Sequence, residues 1–184
     1  MNKVKGSGTL ILKKIVRDRG PAMEAKLLEL LDQENIDVWK ADTLAVSWNP
    51  LPLEAKGSVL YEAALVLFPG DSNRALRELG RIMAKEGLPW FYQIFIRIPT
   101  PQFVWKRVAV LWRSFYDSGD ASVENTGPKQ MTFVLSNYPE YPPYMREYLS
   151  GYFLGVGELL HLPNMKVQKD ESNPLTWRWH LRWD

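Results

Sequence analysis

The closing stretch of the chain, Thr176-Trp-Arg-Trp-His-Leu-Arg-Trp-Asp184, decides the fold. Its large apolar side chains fall on one parity of the numbering, and its basic side chains fall on the other. The first set is Trp177, Trp179, Leu181 and Trp183, and the second is Arg178, His180 and Arg182. Strict alternation of this kind is typical of a half-buried β-strand. A strand face this rich in tryptophan requires an apolar layer to cover it.

Most of the chain before this strand is predicted to be helical, because its apolar residues recur at intervals of three and four. The predicted helices cover residues 22–33, 53–68, 72–87, 100–115 and 144–161. Residues 10–16 fit either a short helix or a strand, and residues 42–52 are predicted to be irregular. The run 88–98 is apolar on nearly every side, which is typical of a helix in a core or at an interface.

Two β-hairpins are predicted in the C-terminal third of the chain. Residues 120–136 form the first around the turn signal Asn125-Thr-Gly-Pro128, and residues 165–183 form the second across residues 170–174. One helix separates them, so the order is helices followed by ββαββ. This order predicts an α+β fold with one four-stranded antiparallel sheet and helices packed on one of its faces.

The composition is that of a single globular domain. A chain of 184 residues with 46% hydrophobic and 24% charged residues can bury a core without disulfides or metals. We predict one domain over residues 1–184, with a helical part over about 1–117 and a sheet-containing part over about 118–184. No segment approaches the roughly 18 apolar residues that span a membrane, and the N-terminus lacks a signal-peptide core, so a cytoplasmic location is expected.

Charge and cysteine content exclude several kinds of site. The formal net charge is only +2, which gives no electrostatic basis for binding nucleic acid. There is no cysteine, so thiolate catalysis, disulfides and zinc–sulfur sites are excluded, and only two histidines are present. We therefore predict no metal and no cofactor.

The polar residues that could carry chemistry have structural explanations that we favour. His161 ends a helix and His180 lies on the basic side of the last strand, with no base or nucleophile nearby in sequence. Asp117 and Asp120 fall in a turn between a helix and a strand, where aspartate binds backbone groups. The basic face of the last strand is better explained as solvated surface than as an anion site. No catalytic residue is predicted, and the chain is interpreted as non-enzymatic.

Glycines interrupt the predicted helix 144–161. Gly151 and Gly155 lie on one helical face, with Gly157 close by. Each glycine costs about 1 kcal/mol relative to alanine in a helix interior, so the close approach of another backbone is expected to offset the cost. The sheet and a second subunit are the two candidates, and the sheet is favoured.

Aromatic residues form the candidate ligand site. The chain has 8 Trp, 8 Tyr and 7 Phe, and such bulky side chains leave irregular gaps where they pack. The candidate lining residues are Trp90, Phe91, Tyr92, Phe95, Trp112 and Tyr152. Plain core packing is the alternative explanation for the same residues.

Several local sequences resemble a little-characterised bacterial domain family that is abundant as paralogues in myxobacteria. They are Leu76-Arg-Glu-Leu-Gly80 with Gly87, Leu111-Trp-Arg-Ser-Phe-Tyr-Asp-Ser-Gly119, Tyr148-Leu-Ser-Gly-Tyr-Phe-Leu-Gly155, the closing Trp-rich strand, Lys5-Gly-Ser7 and Ser47-Trp-Asn-Pro50. That family is related to the 4-vinyl-reductase (V4R) ligand-binding domains and, more distantly, to haem–nitric-oxide (H-NOX) sensors and TRAPP-type trafficking subunits. The resemblance implies a ligand-sensing or binding domain over nearly the whole chain.

Two departures limit what the resemblance implies. Related V4R domains often carry cysteines before and within the last hairpin, and this chain has none. Haem–nitric-oxide sensors use a proximal histidine and a Tyr-x-Ser-x-Arg motif that binds the haem propionates. Here Tyr116-Asp-Ser118 is followed by Asp120 at the arginine position. Haem binding is therefore not expected.

The sequence thus predicts a sensor or binding domain that holds a small hydrophobic ligand in an aromatic-lined pocket and signals to a partner protein. The alternative is a structural adaptor that mediates protein–protein interaction or dimerisation without a ligand. An enclosed cavity would favour the first, and an exposed apolar patch the second. We also expect a homodimer through residues 88–98 and 103–112, because a domain of this size rarely buries every side of an apolar helix.

Overall fold

The computed structural model describes residues 3–52, 54–87, 100–137, 142–173 and 175–184. In these ranges the helices are α1 (Gly6–Arg17), α2 (Pro21–Leu30), α3 (Gln33–Lys40), α4 (Val59–Leu67), α5 (Ser72–Gly87), α6 (Pro101–Phe115) and α7 (Met145–Leu159). The strands are β1 (Lys3–Lys5), β2 (Trp48–Pro50), β3 (Asp120–Gly127), β4 (Gln130–Ser136), β5 (Lys166–Asp170) and β6 (Thr176–Arg182). This order confirms an α+β fold in which helices precede a ββαββ unit. The helix predicted over 88–98 lies outside the described residues.

Short polar residues and proline set where several helices begin. Pro101 occupies the first turn of α6, where its missing N–H would have no helical partner. Asp71 caps α5, since its carboxylate accepts a hydrogen bond from the N–H of Arg74 at 2.8 Å. Asp32 caps α3 through the N–H of Asn35, also at 2.8 Å.

No described helix is both long enough and apolar enough to cross a membrane.

The structure decides one open prediction and differs from the predicted helical boundaries elsewhere. Residues 10–16 are helical and belong to α1. Helix α3 was not predicted, because charged and amide side chains dominate its short sequence. Helix α4 begins at Val59 rather than at residue 53, because Gly57 has a positive φ of 79° and Ser58 is extended.

A two-stranded ribbon forms where the sequence predicted irregular structure. Strand β2 pairs antiparallel with β1, and Lys5 lies opposite Trp48. On its other side β1 meets Tyr116 through a single bridge at Val4. Since these partners are far apart along the chain, no local pattern of residues could have indicated the pairing.

The four-stranded sheet has the order β3-β4-β6-β5, and each neighbouring pair is antiparallel. On β6, Trp179 is 1% exposed and lies opposite Phe133 of β4, whereas Arg182 is exposed and Arg178 half-buried. Trp177 and the neighbouring apolar positions of the same parity are buried too. The two predicted hairpins and the register of the last strand are therefore confirmed.

Helix α7 lies between this sheet and helix α5. On the sheet side, its Phe153 ring lies 4.7 Å from the ring of Phe133. On the α5 side, a β-carbon added at Gly151 would overlap the carbonyl oxygen of Arg77, and Gly155 makes a similar approach one turn later. The close backbone approach predicted for these glycines is present. The expectation that the sheet would be their partner is wrong, because bulky side chains fill the sheet side of α7.

Candidate functional site

Buried aromatic rings form a continuous column from α6 through α7 to the sheet. Trp105 of α6 meets Phe153 of α7 edge-on, with ring centroids 5.8 Å apart. Phe153 in turn lies 4.7 Å from Phe133 of β4 and 5.3 Å from Trp179 of β6. All four side chains are at most 1% exposed. We call these four residues the aromatic column, and edge-to-face pairs within it favour a fixed ring geometry.

The two tryptophans of the aromatic column have different hydrogen bonding. The indole N–H of Trp179 donates to the hydroxyl of Ser150 at 3.0 Å. The indole N–H of Trp105 is fully buried and has no acceptor among the described residues. A buried donor without a partner costs about 1–3 kcal/mol, and an indole N–H can only donate. This position therefore suits an acceptor atom brought by another molecule.

A second aromatic group joins the end of α6 to α7. Trp112 stacks on Tyr116 at 4.1 Å, and its N–H donates to the carbonyl of Ser118 at 2.9 Å. Tyr148 and Tyr152, one turn apart on α7, have ring centroids 6.4 Å apart. Burial raises the pKa of both α7 phenols, and the nearby Tyr116 raises it further. These phenols stay neutral at physiological pH, so each hydroxyl can both donate and accept a hydrogen bond.

Two of the six predicted pocket residues are described by the structure. Trp112 and Tyr152 share one aromatic group, because Tyr116 stacks on the first and interacts with the second. The other four, Trp90, Phe91, Tyr92 and Phe95, lie outside the described residues. Sequence reasoning did not select Trp105 or Phe153. No sequence signal shows that a buried indole N–H lacks an acceptor.

A charged groove of about 660 Å³ runs along the surface of the α5–α7 pair. Its lining residues are Asp71, Asn73, Arg74, Arg77, Glu78, Arg81, Leu154 and Glu158. Arg77 pairs with the buried carboxylate of Glu147, which Lys169 of β5 also contacts, and Arg81 pairs with Glu158. The three arginines of the lining are balanced by three carboxylates, so the groove has no excess charge to attract an ion. Its ion pairs tie α5 to α7 and to the sheet.

Both histidines lie away from the aromatic column. His161 is exposed at the C-terminal end of α7. His180 lies on the face of β6 opposite to Trp179, with Nδ1 3.0 Å from the hydroxyl of Thr132 and Nε2 3.9 Å from the carboxylate of Asp170. Among the described residues, no three histidine, aspartate or glutamate side chains come together in a way that could hold a metal ion.

Asp117 and Asp120 shape the connection between α6 and β3, as the sequence indicated. Asp117 accepts a hydrogen bond from the backbone N–H of Lys3 at 2.8 Å. Asp120 accepts one from Asn137 at 2.6 Å and one from Arg113 at 2.8 Å, and in that order these bonds lower the pKa of its carboxyl. The two carboxylates bind different partners, so they do not act as a pair.

Comparison with known proteins finds likeness in fold but not in sequence. No protein-family model matches the chain, and no curated protein matches it. An unliganded Fe(II) H-NOX protein from K. algicida superimposes with a TM-score of 0.69, covering 98% of this chain and 96% of that chain at 11% identity. An H-NOX protein from S. oneidensis in the Fe(II)NO ligation state gives a TM-score of 0.65, with 98% and 99% covered at 11% identity.

A third solved structure is an oxygen-binding H-NOX domain related to soluble guanylate cyclases, in its oxygen complex. It gives a TM-score of 0.66 and 12% identity, and 98% of this chain and 95% of that chain are covered. The described fold is therefore H-NOX-like over almost the whole chain, which confirms that part of the resemblance. The relation to V4R domains and to a myxobacterial family stays a prediction.

Proposed function

We propose that this chain is a non-enzymatic sensor or binding domain for a small, uncharged and largely apolar molecule with one hydrogen-bond acceptor. The buried N–H of Trp105, which has no acceptor among the described residues, carries the proposal. The aromatic column would supply apolar contact, and the N–H would supply the one polar contact that orients the molecule. The fold likeness supports this proposal, since the similar structures include oxygen-binding and Fe(II)NO-ligated H-NOX proteins.

Haem is the first ligand to test, because the similar structures contain iron. A haem iron needs an axial ligand from histidine, cysteine, methionine or tyrosine. His180 lies on the sheet face opposite to the aromatic column, and His161 is exposed. Burial keeps the phenols of Tyr148 and Tyr152 neutral, which disfavours the phenolate form that would bind iron. These two histidines and two phenols do not fit haem.

The position expected to hold the haem propionates fits no better. Asp120 stands where the haem-binding motif has arginine, and its carboxylate would repel a propionate. The neighbouring guanidinium of Arg113 is already paired with Asp120 at 2.8 Å. The proposed ligand therefore binds without iron.

Ligand binding would be transmitted through α7. This helix contacts the aromatic column through Phe153, while Gly151 and Glu147 hold it against α5. A molecule that accepts a hydrogen bond from Trp105 would shift the domain towards whichever of two conformations binds that molecule more tightly. The size of the shift would be set by the difference between its binding free energies for the two conformations. A partner protein that contacts the α5–α7 pair would bind the two conformations with different affinity.

A matched pair of probes tests the proposal. Acetophenone carries one carbonyl acceptor, and ethylbenzene has a similar shape without it. We expect acetophenone to raise the melting temperature of the purified chain more than ethylbenzene does, because only acetophenone can accept from Trp105. In Trp105→Phe, which keeps an aromatic ring but has no N–H, the difference between the two probes should vanish.

The control variant is Trp39→Phe. In the wild type the indole N–H of Trp39 already donates to Glu24 at 2.9 Å. The variant should keep the preference for acetophenone, although it loses a hydrogen bond of its own. Equal effects of the two probes on the wild type would contradict the proposal, and so would a preference for acetophenone that survives in Trp105→Phe. Native mass spectrometry of the freshly purified protein would show whether a molecule copurifies with it.

A structural adaptor is the second candidate function, and the exposed face of α6 favours it. Phe103 is 41% exposed and Val110, two turns further along, is 67% exposed. The guanidinium of Arg107 lies 5.1 Å from the ring of Phe103, within the same exposed face. An apolar strip on a helix of this length suits contact with another chain, including a second copy of this one.

A further inference from the structure

Residues 44–47 form a tight turn over the start of α1. Each of the four carbonyl oxygens in this turn accepts a hydrogen bond. The carbonyl of Leu44 accepts from the N–H of Ser47 at 3.0 Å, and the carbonyl of Ala45 accepts from the N–H of Ser7 at 3.1 Å. The carbonyl of Val46 accepts from the ammonium of Lys5 at 3.0 Å, and the carbonyl of Ser47 accepts from the N–H of Gly6 at 2.9 Å. Gly6 permits this arrangement, because a β-carbon there would overlap the carbonyl oxygen of Leu44. The backbone of the turn is therefore held rigidly.

Apolar side chains in and beside this turn face solvent. Leu44 is 66% exposed, Val46 is 76% exposed, and Trp48 at the start of β2 is 39% exposed. The ammonium of Lys5 lies 3.9 Å above the ring of Trp48. We call Leu44, Val46 and Trp48 the apolar turn. Leaving such side chains in water is unfavourable, whereas moving the turn into an apolar medium would strand none of its four carbonyls.

Basic residues surround the apolar turn. Lys3 and Lys5 lie on the strand paired with β2, and Lys40 precedes the turn at the end of α3. Lys13 is different, because it is buried and its ammonium donates to the carbonyl of Ala41 at 2.8 Å, which holds the start of the same loop. Residues 41–50 contain a single acidic residue, an aspartate. An apolar tip with a tryptophan and several lysines has the composition of a segment that lies in the interface of a membrane.

We propose that the apolar turn docks the domain on the surface of an anionic lipid bilayer. Leu44 and Val46 would enter the region between headgroups and acyl chains, and Trp48 would lie at headgroup depth. The exposed Lys3 and Lys40 would contact lipid phosphates. A second protein chain is a weaker candidate for this surface. Three side chains cover far less than the roughly 800 Å² per partner of a stable protein interface, whereas reversible membrane attachment needs only a small apolar insertion plus basic charge.

The test is co-sedimentation of the full chain with lipid vesicles. We expect binding to vesicles that contain phosphatidylglycerol, weaker binding to phosphatidylcholine alone, and loss of binding at high salt. The double variant Leu44→Ser/Val46→Ser should weaken binding to the anionic vesicles by about tenfold or more. Lys3→Gln/Lys40→Gln, which keeps the hydrogen bond from Lys5 to Val46, should reduce the preference for anionic over neutral vesicles.

The matched control is Leu30→Ser/Leu175→Ser, which removes two leucines that are 45% and 68% exposed elsewhere on the surface. It should bind vesicles as the wild type does, and thermal melts should show that all variants are folded. No binding of the wild type to anionic vesicles would overturn the proposal. Equal losses in the control and in the turn variant would overturn it as well. Sedimentation velocity provides a third test. The proposal would also be overturned if the wild type were a dimer that does not bind vesicles and Leu44→Ser/Val46→Ser were a monomer.

Discussion

Gly80 of α5 lies directly against the backbone carbonyl of Tyr148 on α7, with no room for a β-carbon between them. The reciprocal contact places Gly151 of α7 against the carbonyl of Arg77 on α5. The two helices therefore touch backbone to backbone, as only glycines at both positions allow. This contact fixes the position of α7, and with it the position of the aromatic column relative to the helical layer.

Substituting Gly80 by alanine should destabilise the protein, although alanine is ordinarily the better helix former. The added methyl group would force the helices apart, at a cost of about 1–3 kcal/mol. Gly8→Ala in α1 is the control, because nothing lies within 4 Å of a β-carbon there. That variant should gain up to about 1 kcal/mol from helix propensity. Chemical denaturation measures both free energies of unfolding, and a Gly80→Ala protein as stable as the wild type would refute the close contact.

Glu147 should make folding stability depend on pH in the acidic range. Burial of its carboxyl would raise the pKa, but hydrogen bonds from Arg77 and Lys169 outweigh that effect, and the pKa is lowered. A carboxyl with a lowered folded pKa stabilises the fold above its ordinary value of 4.5. That stabilisation is lost as the pH falls below 4.5 and through the folded pKa.

Glu147→Gln should therefore cost about 2–3 kcal/mol at pH 7, because it removes the buried carboxylate that Arg77 and Lys169 share and leaves Lys169 with only the exposed carboxylate of Glu171. The difference from wild type should shrink as the pH falls below the ordinary carboxyl pKa. Glu171→Gln is the control, since Glu171 pairs with the same Lys169 but is 56% exposed, and it should cost less than about 1 kcal/mol. Urea denaturation at several pH values measures both, and a pH-independent loss for Glu147→Gln would contradict the argument.

The sheet was predictable from the sequence because its signals are local. Alternation along residues 176–184 fixed which face of β6 is buried, and turn residues marked both hairpins. The ribbon of β1 and β2 was not predictable, since it joins segments far apart along the chain. Gly151 shows the intermediate case. Its sequence position indicated a close backbone approach, but which backbone approaches depends on how α5 and α7 pack.

The candidate site was predictable only in kind. Counting aromatic residues indicated an aromatic interior, and whether Trp112 and Tyr152 line a ligand pocket stays a prediction. Trp105 emerged only from the three-dimensional arrangement, because whether a buried N–H finds an acceptor depends on every element around it. Residues 88–99, which contain most of the predicted pocket, lie outside the described part of the chain.

A homodimer remains our prediction for the chain in solution. Besides residues 88–98, the exposed face of α6 offers Phe103 and Val110 to a second copy. Light scattering should give twice the monomer mass at high micromolar concentration, and Phe103→Ser/Val110→Ser should shift the protein towards monomer. Leu175→Ser, at a leucine that is 68% exposed on another element, should leave the mass unchanged. A clean monomer mass for the wild type would end this prediction.

Protein expressed with haem supplementation should carry no haem, even though its fold is H-NOX-like. The two histidines of the chain lie outside the aromatic column, and an aspartate, Asp120, replaces the arginine expected to bind the propionates. Absorption spectra of the desalted protein should therefore show no Soret band. Asp120→Arg should not restore haem binding, because both histidines would still lie away from the aromatic column. The opposite result would be a Soret band that survives desalting in the wild type and disappears in His161→Ala or His180→Ala. It would show that a histidine binds the iron, and the proposal of an iron-free ligand would then be wrong.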